Sequence, residues 1–117
     1  MNTIDFNLFT SYSSSKAVIS TIEWMGGAKC VKSIRLNTKG EIYEDTLPED
    51  YPLIITIEPK CEDMYGEIKI RCNTLTSGYG GSGPSDLWKI IQACGFDNQI
   101  SREDITTKRY FEVEFFK

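Results

Sequence analysis

Between Glu67 and Thr74 the chain alternates without a break: Ile68, Ile70 and Cys72 fall on one side, Lys69, Arg71 and Asn73 on the other. Successive side chains of a strand point to opposite faces, so this period of two specifies a strand with one buried and one wet face. An antiparallel or mixed sheet tolerates such a strand, whereas an all-parallel sheet is covered on both sides. The buried face then needs a second layer against it.

The flanking segments supply the other strands and that layer. Thr3 to Thr10 alternates well enough for a strand, and Cys30 to Asn37 predicts another that ends at a compact hairpin turn, Thr38-Lys39-Gly40. Glu41 to Thr46 follows and stops at Leu47-Pro48-Glu49-Asp50. Pro52 to Glu58 (PLIITIE) is almost continuously apolar, the mark of a central strand covered on both faces. Lys108 to Phe116 closes the chain with Phe111, Val113 and Phe115 on one face.

Two segments carry helical spacing instead. Val18, Ile22 and Met25 make a stripe within Lys16 to Met25, preceded by capping serines Ser13, Ser14 and Ser15 and ended by Gly26-Gly27. The β-branched Val18, Ile19, Thr21 and Ile22 leave a strand as the alternative there. Asp86 to Cys94 has the stripe Leu87, Ile90, Ile91 and Cys94, with Gly95 as its cap. Ser101 followed by Asp104 predicts a short helical turn over Ser101 to Ile105. The order β-α-β-β-β-β-α-β gives an α+β fold: an antiparallel or mixed sheet of five to six strands with two helices packed mainly on one face. Residues 1–117 read as a single globular domain.

Composition narrows the partners. An apolar fraction of 40% with six Phe and six Tyr suits a packed core and not a disordered chain. The net charge of −4 lacks the concentrated basic surface that duplex nucleic acid requires, and is too small for a nucleic-acid mimic. No apolar run is long enough to span a bilayer, and Met1 to Asn7 lacks the regions of a secretory signal, so a cytoplasmic location without membrane contact is expected. Cys30, Cys61, Cys72 and Cys94 are widely spaced with no CxxC and are expected to be reduced thiols, Cys72 and Cys94 as small buried hydrophobes.

The chemistry-bearing candidate is the segment Thr76 to Ser85 (TSGYGGSGPS), which joins the clearest strand to the clearest helix. Gly78, Gly80, Gly81 and Gly83 give four glycines in six residues, against a background of about 7%. Glycines let a backbone approach a ligand closely, and the first turn of a helix offers unpaired N–H groups and partial positive charge. Pro84 suits the first helical position. Ser77, Ser82 and Ser85 add hydroxyls, and Tyr79 can stack on a base. The letters fit neither a phosphate-binding GxxxxGK[ST] loop, since Pro84 follows Gly83, nor a dinucleotide fingerprint beyond a chance GxGxxG. Against a ligand stands Asp86, a carboxylate expected in the first turn; a passive glycine tip or a protein contact explains the same residues.

Other chemistry is sparse. With no histidine, Ser–His–Asp and Cys–His arrangements are impossible within the chain, and no catalytic residue is assigned. The cysteine spacing does not suit a zinc site, so neither metal nor cofactor is expected. Acidic residues between Glu41 and Glu49, and at Glu58, Glu62 and Asp63, read as solvated turns. Lys29, Lys32 and Arg35 recur along one strand and Lys69 and Arg71 along another; the preferred reading is an open sheet face balanced by Glu41, Glu44 and Glu67.

The leading functional expectation is therefore a non-enzymatic binder of an anionic small molecule, such as a nucleotide, acting as a sensor or sequestering protein. The ligand would sit at Ser77, Gly78, Tyr79, Gly80, Gly81, Ser82, Gly83 and Ser85. The aromatic terminal segment favours a homo-oligomer. A final strand parallel to Glu67–Thr74 would start at the far end of the sheet, so Arg109 would reach the loop only from a neighbouring subunit. The alternative is a protein-binding inhibitor or immunity-type protein that blocks a partner with its acidic turns and exposed aromatics such as Trp24. A weaker one is a small transferase-like enzyme.

Overall fold

A computed structural model describes residues 3–6, 14–38, 46–60, 66–73, 82–108 and 110–117. The elements run β1 (Thr3–Phe6), α1 (Ser14–Trp24), β2 (Val31–Asn37), β3 (Leu53–Ile57), β4 (Ile68–Cys72), α2 (Ser82–Cys94), α3 (Arg102–Thr107) and β5 (Glu112–Phe116), with 3-10 turns at Ala28–Cys30 and Pro48–Asp50. The five strands form one mixed sheet in the order β1-β4-β3-β2-β5. This is the α+β architecture expected. The strand proposed for Glu41 to Thr46 and its hairpin turn lie almost wholly outside the described residues.

β3 is central, and all five of its residues are buried, as its apolar run requires. Antiparallel neighbours flank it, with Ile55 opposite Ile34 on one side and Ile70 on the other. Leu53, Ile55 and Ile57 share a face with Ile34, Leu36, Ile68, Ile70 and Cys72. Val18 and Ile22 of α1, Met25 just after it, and Leu87, Ile90, Ile91 and Cys94 of α2 join them in one buried cluster. The helix stripe of α1 thus prevails over the β-branched content, because tertiary burial outweighs a small propensity difference. Both helices end in the paired hydrogen bonds of a Schellman cap. Gly27 N donates to Ile22 O and Gly26 N to Glu23 O; Phe96 N donates to Ile91 O and Gly95 N to Gln92 O.

The pairing fixes two orientations, of which that of β5 differs from expectation. β1 pairs in parallel with β4, Asp5 standing opposite Arg71. β5 runs antiparallel to β2, and so antiparallel to β4 as well. The reason lies in α3, which is a full helix from Arg102 to Thr107 with a Ser101–Asp104 capping box. Gln99 Nε2 donates to the Phe116 carbonyl, at the end of β5, whereas Phe111 N donates to Thr38 Oγ1 and Thr38 N to Phe111 O, just past the end of β2. Residues 100–110 therefore carry the chain back across the length of the sheet before β5 begins.

Candidate functional site

β1 and β4 run side by side in the same direction, and each is followed by a helix that packs back on the same face. Both helices start at the sheet end where these strands finish. Ser15, in the first turn of α1, donates its hydroxyl to Asp86 Oδ1 of α2 at 3.1 Å, which fixes the two helix starts beside each other. Ser15 is buried and Asp86 partly so. Two aligned helix N-termini concentrate partial positive charge at one end of the sheet.

α2 begins at Ser82, four residues before the start expected from sequence. Pro84 is consequently its third residue, where a missing N–H still costs nothing. Asp86 falls beyond the first turn, which contains no acidic residue. Its carboxylate accepts from Ser15 at the start of α1, so a negative charge remains beside both helix starts and the objection drawn from Asp86 keeps its force. Of the residues expected to hold a ligand, the backbone of Ser82, Gly83 and Ser85 lies in this first turn, with Ser85 partly exposed. Ser77, Gly78, Tyr79, Gly80, Gly81 and Arg109 lie outside the described residues. The final strand is not parallel to β4: β5 starts at the end of the sheet where β4 finishes. Three strand spacings, about 14 Å, separate the two points.

The chain matches no protein-family model, no curated protein and no solved structure. Its site has to be read from its own residues.

The uncovered sheet face is more evenly balanced than a basic stripe. β3 separates β2 from β4, so the two cationic strands are not neighbours. Arg71 forms a two-pronged ion pair with Asp5, Nε to Oδ1 at 2.5 Å and a second bond from the guanidinium to Oδ2 at 2.9 Å. The Arg35 guanidinium donates to the Glu49 carbonyl at 2.6 Å. Arg71 is thus balanced by the Asp5 carboxylate, whereas Arg35 meets a backbone carbonyl, and Glu41 and Glu44 lie outside the described residues. A hollow of about 230 Å³ between β2 and β5 is lined by Arg35, Asn37, Glu112 and Glu114 among others, an acidic surround unsuited to an anion.

At the opposite sheet end, Lys29, Lys32 and Lys60 line a second hollow of about 240 Å³ together with Cys30, Glu58 and Pro59. Sequence reading placed Lys29 and Lys32 on one strand with Arg35. Lys29 belongs instead to the 3-10 turn, and Lys32 sits at a bulge, since Val31 faces Ile57 and Ser33 faces Thr56. Lys60 carried no local signal, because its proximity depends on the β2–β3 pairing. Among the described residues no cluster of His, Cys, Asp and Glu could hold a metal ion, and no helix is long and apolar enough to cross a membrane. Cys30, Cys72 and Cys94 are buried free thiols. Burial pushes the Cys72 thiol far up, and that of Cys94 up to about 12. Such thiols are poor nucleophiles.

Proposed function

We propose that this protein is a non-enzymatic binder of a phosphorylated or nucleotide-type small molecule, which it senses or sequesters where α1 and α2 begin. The observation carrying this reading is the Ser15–Asp86 hydrogen bond, which holds two helix N-termini together beyond the carboxyl ends of a parallel strand pair. Open sheets with parallel strands commonly bind ligands beyond the carboxyl ends of those strands, and helix N-termini accept anions through backbone N–H groups. The glycines from Gly78 to Gly83 lead into α2 and permit close approach of a phosphate. Homo-oligomerisation belongs to the same proposal, supported by Phe116, 63% exposed on the strand at one side of the described sheet.

Thermal shift against a panel of nucleotides, cyclic nucleotides and sugar phosphates tests the reading. A ligand at one hundred times its dissociation constant adds about 2.7 kcal/mol of apparent stability. Chemically unchanged ligand recovered after long incubation supports binding without turnover. A second reading, blockade of a partner protein, draws on Trp24, which is 64% exposed at the end of α1. Silence across the panel together with capture of one specific protein, lost in Trp24→Ala, would favour it.

A further inference from the structure

We infer that the lysine hollow at the sheet end opposite the helix N-termini is a second anion site, suited to a phosphate or phosphomonoester dianion. Among the described residues, Lys29, Lys32 and Lys60 face a single lining carboxylate, Glu58, so these groups together carry two more positive than negative charges, on a chain of net charge −4. Its walls are cross-linked by backbone: Glu58 N donates to Cys30 O at 2.9 Å, and Lys60 N donates to Met25 O at 2.9 Å. The lysine backbones therefore stay in place without a ligand, which lowers the ordering cost of binding.

The bulge is the second element. Val31 pairs with Ile57 and Ser33 with Thr56, so Lys32 has no residue opposite it in the ladder. Bulges re-aim a side chain, and this one leaves Lys32 exposed at the mouth of the hollow. Lys32 reaches Glu58 Oε2 at 2.7 Å, and Glu67 adds a weaker pull that, with Glu58, raises the lysine pKa. Both side chains of this pair are half exposed, so the contact is readily exchanged for a stronger anion. Lys29 and Lys60 have no ion pair among the described residues. A fourth lysine, Lys117, lies close through its backbone N–H, which donates to Lys32 O, but its ammonium donates to Ala28 O and lies over the Phe96 ring. The site is thus three lysines around space for one compact dianion. Lysines act on phosphate as movable point charges, so a fixed fork geometry is unnecessary.

Inorganic phosphate titrated into the isotope-labelled protein, with ionic strength held by chloride, tests the inference through amide chemical shifts. Saturable shifts are expected at Lys29, Cys30, Lys32, Glu58 and Lys60. Lys29→Gln with Lys60→Gln should weaken that binding at least tenfold while leaving the melting temperature unchanged, both residues being exposed. Glu58→Gln should tighten it several-fold, because it removes the competing carboxylate and frees Lys32. Shifts that grow linearly without saturating, or affinity indifferent to both variants, would overturn the assignment. Responses at Ser82 to Asp86 report separately on the helix N-termini, so the two sites succeed or fail independently.

Discussion

The Ser15 hydroxyl and the Asp86 carboxylate join α1 to α2 across 71 residues of sequence, at 3.1 Å in a partly buried setting. α1 and α2 also pack through Val18, Ile22, Leu87 and Ile91, which lie in the same buried cluster. The polar contact adds what apolar packing does not, a fixed axial alignment of the two helices.

Ser15→Ala should cost about 1.5–3 kcal/mol of stability, the usual range for a hydrogen bond to a charged acceptor. Asp86→Asn keeps an acceptor oxygen and should cost less, while raising anion affinity at the helix starts by removing a nearby negative charge. Chemical denaturation of both variants and of the double variant gives the coupling, and a coupling near zero would mean that the bond does not tie the helices.

Gly26 has φ +120°, and a Cβ there would lie 2.5 Å from Cys30 Sγ. Cys30 is itself buried, so the sulfur has little room to move. Gly26→Ala is expected to destabilise the fold by about 1–3 kcal/mol through overpacking and a strained backbone. Gly27, at φ +84° with open space around it, should lose less on the same change, from backbone strain alone. Urea midpoints of the two variants check the order.

Arg71 and Asp5 should respond unequally to truncation. The Arg71 side chain is 13% exposed and that of Asp5 35%. Asp5→Ala leaves the less exposed side chain of the pair without its partner, whereas Arg71→Ala leaves a carboxylate that water reaches more freely. The first should cost about 1–3 kcal/mol and the second less. Because Asp5 lies in a four-residue strand, Asp5→Ala should also speed hydrogen exchange at Ile4 and Phe6 selectively.

The core thiols make stability fall in alkali. The Cys94 thiol, ordinarily near 9.0, is pushed up to about 12 by burial, and that of Cys72 is raised further. Between pH 9 and 12 the folded chain keeps these protons while the unfolded chain releases them, so stability decreases as pH rises. The contribution is fully present below pH 9, and each thiol adds a slope of at most about 1.4 kcal/mol per pH unit. Denaturation at pH 8 and pH 10 should show a shallower loss in Cys94→Ala than in the parent chain.

Much of the architecture was readable because it is written locally. Ile68, Ile70 and Cys72 name a buried face by alternation, the run from Leu53 to Ile57 names a central strand, and Gly26 and Gly95 mark two helix ends. What escaped depended on distant partners. Nothing near Thr3 indicates that β1 pairs in parallel with β4, and nothing near Lys108 reveals which way β5 will run once α3 has returned the chain. The start of α2 was misread because Ser82 and Gly83 are poor helix formers, admitted at a terminus where their propensity matters least. The lysine hollow escaped because Lys60 joins Lys29 and Lys32 only through pairing of β2 with β3.

The strand order has a mechanical corollary. Thr3 opens β1 and Phe116 closes β5 at the same sheet end, on opposite sides of the described sheet. Tension applied through these two residues pulls across the strands, so hydrogen bonds open one after another like a zip instead of resisting together. A machine that threads the chain from either residue meets first a strand of only four or five residues, which makes this fold easy to dismantle by force whatever its resistance to heat.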